Sequence, residues 1–305
     1  MSALGTALAD YLALRRALGY KLTEAGRVLG RFVAHLDALG AETVTVTVAL
    51  AWATETGSGC GGIARRLQAI RGFAFYLQAL DPANEVPPAG LVPTRSARLV
   101  PHLYSDADIA ALMAAARRLS PPLRAATTEA VIGLLAVTGM RMGEVLALDT
   151  ADVDWDTGVL TVWLAKFNKA RHVPLAPTTT SALVDYRRTC RRLAPAAATR
   201  ALFVTPRGRR LGYCGFRDVF ARLLESTGIA SAGSRPRIHD FRHSFAVRTL
   251  LGWYRDGADV HALLPRLSTY LGHVDPASTY WYLSAAPELM VLVAERLERG
   301  GEASR

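Results

Sequence analysis

"DVDWDTGVLTVWLAKFNKARHVPLAP", residues 152–177, decides the fold class. Short runs rich in Val, Leu, Thr and Trp are broken by Asp156-Thr157-Gly158 and again by Phe167-Asn168-Lys169-Ala170. Turn residues between such runs predict two or three short antiparallel strands. On both sides the spacing of apolar residues is helical. "SDADIAALMAAARRL" starts at Ser105, with Ser105 or Asp106 as N-cap, and "LRAATTEAVIGLLAVTG" predicts a buried helix. From Pro177 the pattern stays helical apart from "ALFVT" at 201–205. The sequence predicts a mainly α domain with one small antiparallel sheet.

The N-terminal third has a helical pattern of its own. Leu4, Leu8 and Leu12 mark one helix, and Leu22 to Leu39 mark a second that ends at Gly40, a C-cap position. "VTVTV" at 44–48 alternates like a strand but runs on into "ALAWATE", which favours a turn and a helix from about Thr47. Ile63, Leu67, Ile70, Ala74 and Leu77 mark a long helix whose other face carries Arg65, Arg66 and Arg71. Residues 81–101 then bring five prolines and little periodicity, the composition of an extended linker. The expected organisation is a four-helix domain over 1–84, a linker over 85–104 and a second domain over 105–305.

Composition narrows the class. Of 305 residues, 50% are hydrophobic and 20% charged, an ordinary globular balance. Apolar runs fall short of the ~18 residues that a membrane span needs, and the N-terminus lacks a basic region and cleavage pattern. Both point to a cytoplasmic protein with no membrane partner. Cys60, Cys190 and Cys214 have neither metal-ligand nor disulfide spacing, and they read as reduced packing residues. The net charge is +10, unevenly placed: residues 1–90 carry 8 Lys/Arg against 7 Asp/Glu, and residues 91–305 carry 28 against 19. A basic second domain suggests a polyanion partner, nucleic acid first.

Four islands hold candidate chemistry: "TGMRMGEVLAL" (138–148), "LAKFNKARHVPL" (164–175), "HDFRHSFAVRTL" (239–250) and "LGHVDPASTYWYL" (271–283). Singly, each has a plain structural reading. Arg141 could pair with Glu144, Lys166 and Lys169 could be solvated hairpin charges, and Tyr280-Trp281-Tyr282 could be core. Together they describe a reaction. Two arginines can clamp the nonbridging oxygens of a phosphodiester, and they strengthen as charge grows on phosphorus. A tyrosine hydroxyl can attack and leave a covalent phosphotyrosine. A histidine can take its proton, and a lysine can protonate the departing sugar oxygen. The set needs no metal or other cofactor, and no Walker-type loop is present.

In order and spacing these islands resemble the tyrosine recombinases, or phage-type integrases, over nearly the whole chain. The resemblance implies a catalytic set of Arg141, Lys166, His239, Arg242, His273 and Tyr282, with Glu144 matching the family's acidic residue. The family nucleophile lies nine residues past the His273 position, which is Tyr282; Tyr280 is then expected to pack or support. The N-terminal helices resemble a core-binding, SAM-like DNA clamp. Expected DNA contacts are Arg65, Arg66, Arg71, Lys169, Arg207, Arg209 and Arg210. The wording "STYWYLSA" is similar to recombinases of multi-gene transposons. The tail "PELMVLVAERLERG" has an apolar stripe of Leu289, Val291, Leu292 and Leu297, which could pack in cis; the resemblance implies instead that it docks on a neighbouring protomer in a homo- or hetero-tetramer on double-stranded DNA, with other recombinases as further partners. Two other readings stay open: a type IB topoisomerase-like activity, and a catalytically silent DNA-binding accessory subunit.

Overall fold

The computed structural model describes residues 2–55, 59–92, 100–163, 170–195, 199–229, 236–272, 279–280 and 282–283. The chain divides into two compact units, residues 1–99 and 100–305.

The first unit holds α1 (Ala3–Ala17), α2 (Thr23–Leu39), α3 (Val46–Thr54) and α4 (Cys60–Leu80). The Ser2 hydroxyl caps α1 by accepting from the Gly5 amide at 3.0 Å, and Gly40 ends α2 in the left-handed region at φ 63°. "VTVTV" is not a strand: Thr45 caps α3, so that helix begins at Val46, one residue before the sequence expectation. Phe32, Leu36, Ile70 and Phe73 are fully buried where α2 meets α4. Each such side chain contributes about 1.5–3 kcal/mol.

The proline-rich segment is held to this unit at its start. The Val44 amide donates to Asn84 Oδ1 at 2.9 Å, and the Val46 amide donates to Glu85 Oε2 at 2.7 Å. Glu85 returns the bond through its amide to the Val44 carbonyl at 2.8 Å, while Val86 and Val92 pack on the core. These contacts satisfy amides around the start of α3 that the helix itself leaves without partners.

The second unit opens with Tyr104, whose amide donates to Ser244 Oγ at 2.8 Å and whose ring stacks on Phe241 at 4.3 Å. Then follow α5 (Asp106–Arg117), α6 (Pro122–Thr138) and α7 (Met142–Ala147). Ser105 and Asp108 cap α5 reciprocally. Apolar on nearly every side, α6 is the buried centre, with Val131, Ile132, Leu134 and Leu135 out of solvent. The sheet runs β1 (Val153–Asp154), β2 (Val159–Trp163) and β3 (Ala170–Pro174), antiparallel in that order. Asp154 Oδ1 accepts from the amides of Asp156 and Thr157, and Gly158 at φ 67° completes the expected first turn. The second expected turn lies outside the described residues.

Helices α8 (Pro177–Leu193), α9 (Tyr213–Thr227), α10 (Asp240–Arg255) and α11 (Val260–Leu271) complete the unit, and helical backbone reappears at 279–280 and 282–283. "ALFVT" lies between α8 and α9, bridged to Asp149 and Arg210 rather than joined to the sheet. Two large apolar clusters form, beside a small one of Leu123, Ala201 and Val204. One gathers α5, α6, α9 and the sheet; the other gathers α10, α11 and Tyr282, and Tyr270 touches both. The cysteines depart from expectation. Cys190 is half-buried, but Cys60 and Cys214 are exposed, because each sits in the solvent-facing first turn of its helix.

Candidate active site

Construction starts at the end of α6. Gly139 turns the chain at φ 59°, and a Cβ there would lie 2.6 Å from the Phe245 ring. Only glycine fits both the backbone and the space. Two residues later Arg141 takes the N-cap position of α7. Its amide donates to Glu144 Oε2 at 2.9 Å and its Nη1 to Glu144 Oε1 at 3.0 Å. The surface ion pair foreseen in the sequence is present, but it belongs to a larger assembly.

α10 supplies the second arginine. Arg242 is 1% exposed, a charge taken into the protein. Its Nη1 donates to the Gly139 carbonyl at 3.0 Å and its Nη2 to the Leu271 carbonyl at 2.5 Å. Burial, and then the neighbouring Arg141, brings its pKa down to about 10, so it stays charged at neutral pH. The Leu271 and Gly272 carbonyls end α11, where a helix leaves acceptors unpaired and carries partial negative charge. Arg141 Nη2 reaches the Gly272 carbonyl at 2.9 Å. Gly139, α7, α10 and α11 thus converge on two guanidiniums. His239 begins α10 beside them, its pKa held down by burial and by the charge of Arg242.

A third arginine, absent from the expected set, closes the cluster. Arg171 on β3 donates to both oxygens of Glu144, Nη1 to Oε1 at 3.0 Å and Nη2 to Oε2 at 2.7 Å. Burial alone would raise the Glu144 pKa. The bonds and charge of Arg171, then those of Arg141, outweigh it and hold the carboxyl below its ordinary value. The signal was available in the strand period: Arg171 lies two residues from buried Val173, so it shares the inward face of β3.

Tyr282 is 2% exposed, and its ring lies 5.4 Å from that of His243, which in turn meets the His239 ring edge-on at 5.0 Å. His243 is a second residue missed from sequence. Burial and the adjacent His239 push its pKa down to about 4. Tyr280 corrects an expectation: it does not pack, being 48% exposed. Thr279 and Tyr282, three apart, share the inner face of the helical turn and leave Tyr280 outward. Lys166, Lys169, His273, Trp281 and the tail stripe lie outside the described residues.

The expected DNA-contact arginines divide. Arg65, Arg207 and Arg209 are exposed. Arg71 lies 5.2 Å over the exposed Phe75 ring. Arg66 is turned inward to the Ala53 carbonyl at 2.9 Å, ending α3. Arg210 caps the end of α7 through the Leu146 and Leu148 carbonyls, at 2.9 and 3.0 Å, and pairs with Asp149. A cavity of about 470 Å³ lies elsewhere, among α5, α6 and α8 beside Met113, Leu134 and Tyr186, and the arginine cluster does not line it.

Comparison with known proteins places the chain in a family. The phage integrase family profile matches residues 104–288. A putative integrase/recombinase, y4rB of Sinorhizobium fredii, is 42% identical over 99% of both chains. The tyrosine recombinase XerC of Herpetosiphon aurantiacus is 29% identical over 78% of this chain and 73% of its own. Among solved structures, a Tn1549 transposon integrase in complex with transposon right end DNA superposes with a TM-score of 0.65 at 17% identity, covering 96% of this chain and 98% of its own. The chain belongs to the phage integrase family, whose members are tyrosine-type site-specific DNA recombinases.

Proposed function

We propose that this protein cuts and rejoins duplex DNA at specific sites through a covalent 3′-phosphotyrosine on Tyr282. The observation that carries this reading is the convergence of Arg141 and Arg242 on the end of α11, at 2.9 and 2.5 Å. Two fixed guanidiniums beside a histidine form a site for a phosphodiester whose charge grows during attack. Arg141, the more open of the two, binds a nonbridging oxygen, and Arg242 holds the site and adds its charge.

The Tyr282 oxygen attacks phosphorus and the bond to the 5′ oxygen breaks. His239 takes the phenol proton, and Lys166 gives a proton to the leaving 5′ oxygen, with His273 assisting at the phosphate. The reverse steps rejoin the strand, so the bond is conserved without ATP, and the arginines supply the charge that a metal supplies elsewhere. Because Tyr282 is buried against His243, it must leave that seat before it reaches DNA. Arg65, Arg71, Lys169, Arg207 and Arg209 provide phosphate contacts, which position the protein without reading sequence. Arg66 and Arg210, each already bonded to backbone carbonyls of this chain, are the weaker members of that set. Assembly as a tetramer through the tail and a role in DNA transposition belong to the same reading. Integrases on transposon DNA share the fold.

The test is covalent trapping on nicked duplexes taken from the DNA flanking the gene, compared for wild type, Tyr280→Phe and Tyr282→Phe. An adduct on a denaturing gel that only Tyr282→Phe loses supports the reading. An adduct lost in Tyr280→Phe alone overturns the choice of nucleophile. Binding without any adduct favours an accessory subunit or a missing partner.

A further inference from the structure

Three guanidiniums and one carboxylate meet at this site. Among the described residues, Glu144 is the one carboxylate hydrogen-bonded to Arg141 or Arg171, and none bonds to Arg242. The three arginines are not equivalent. The Arg171 side chain is 9% exposed and the Arg141 side chain 39%. Arg171 lays both terminal nitrogens on Glu144 in a fork, and its buried Nε has no partner among the described residues. Arg141 gives Glu144 one nitrogen, Nη1, and keeps Nη2 on the Gly272 carbonyl.

A carboxylate and a guanidinium left alone close into a two-bond pair, the strongest arrangement open to them. Were that partner Arg141, its charge would be cancelled by Glu144 and its nitrogens would be turned from the phosphate position. With Arg171 in the fork, the carboxylate charge is balanced from the buried side. The cluster then carries a formal excess of two positive charges.

We propose that Arg171 is a positioning residue for strand cleavage: by occupying both oxygens of Glu144 it keeps Arg141 from closing onto that carboxylate and leaves Arg141 available to a DNA phosphate. This rests on the cleavage reading above. It differs from a purely structural role, in which Arg171 only stitches β3 to α7.

The two roles separate when the carboxylate is removed as well. In Arg171→Gln, Glu144 turns to Arg141 and the excess falls by one charge. In the double variant Glu144→Gln/Arg171→Gln, no carboxylate competes and the excess returns to two. A structural stitch predicts the reverse, since the double variant has lost both halves of it.

The adduct rate on nicked duplex is measured for wild type, Arg171→Gln and the double variant, with thermal melting of each. Arg171→Gln is expected to slow adduct formation by about 100-fold, the scale of losing one transition-state donor, and the double variant to recover to within about tenfold of wild type. Binding of inorganic phosphate to the free proteins, followed by ³¹P line broadening, is expected to rank wild type and the double variant above Arg171→Gln. If Arg171→Gln melts below the assay temperature, Arg171→Lys replaces it. Lysine keeps the charge but holds one oxygen, so an intermediate rate is expected, and a full loss tells against the proposal. A double variant no faster than the single, with equal phosphate binding by all three proteins, overturns it. No adduct from wild type, with the phosphate ranking intact, overturns the cleavage reading and with it the role in strand cleavage, and leaves only the finding that Arg171 keeps Arg141 open to phosphate.

Discussion

Arg242 donates to the Leu271 carbonyl across 2.5 Å, tying the first turn of α10 to the last residue of α11. Its other terminal nitrogen holds the Gly139 carbonyl at 3.0 Å. One side chain therefore fixes three chain segments. Lysine at this position offers a single ammonium and cannot span two carbonyls in one plane. Arg242→Lys is expected to fold, to shift DNA on a native gel as wild type does, and to form adduct about 100- to 1,000-fold more slowly. A rate within fivefold of wild type would show that the fork is not needed.

Gly139 makes a prediction about packing. An alanine there must adopt φ 59° with its methyl 2.6 Å from the Phe245 ring. Gly139→Ala should lower stability by about 1–3 kcal/mol, read from urea midpoints. Adding Phe245→Leu should recover part of that loss. Equal losses in the single and double variants would mean that backbone strain, not the ring, sets the cost.

Chemical modification should separate the two tyrosines in the DNA-free protein. Tyr280 is 48% exposed and Tyr282 2%. Nitration followed by peptide mass spectrometry should label Tyr280 early and Tyr282 only after unfolding. Under the proposed cleavage reading, Tyr282 leaves His243 once a cleavable DNA site is bound. Equal labelling in the free protein would contradict the buried seat.

The histidine pair sets a pH dependence of stability. His243 has its pKa pushed down to about 4, and His239 is also lowered. In the window between about 4 and the unfolded value near 6.5, the unfolded chain binds a proton at His243 that the folded chain does not. Stability therefore rises with pH across that window, and it is lost as pH falls from 6.5 toward 4. The slope from one such group is at most about 1.4 kcal/mol per pH unit, less where solvent screens it. His243→Phe should flatten the change in urea midpoint between pH 4.5 and 7. An unchanged slope would assign the effect to other groups.

Much of this was legible in the sequence because local rules carried it. Ser105 capped α5, Gly40 ended α2, and Asp156-Thr157-Gly158 turned the sheet where their chemistry requires. Arg141 and Arg242 could be paired before any coordinates because their islands recur in a known order. What stayed hidden was tertiary. Thr45 as a cap was masked by the alternation of "VTVTV", a two-residue period that the following helix overrode. Arg171 has the inward strand phase, but its partner Glu144 lies 27 positions away. The sequence also could not foresee that Arg210 would cap α7 or that Arg66 would turn to Ala53, since those carbonyls come from other segments. Tyr280 and Tyr282 differ in burial through the phase of one helical turn.

The fastening of Tyr104 has a mechanical side. Its amide is held by Ser244, its hydroxyl donates to the Arg237 carbonyl at 3.2 Å, and its ring lies on Phe241. All three attachments fall on α10 or just before it, on either side of His239 and Arg242. The segment that opens the second unit is thus fastened to the helix that carries the second arginine, so any strain on Tyr104 falls on α10 to both sides of Arg242.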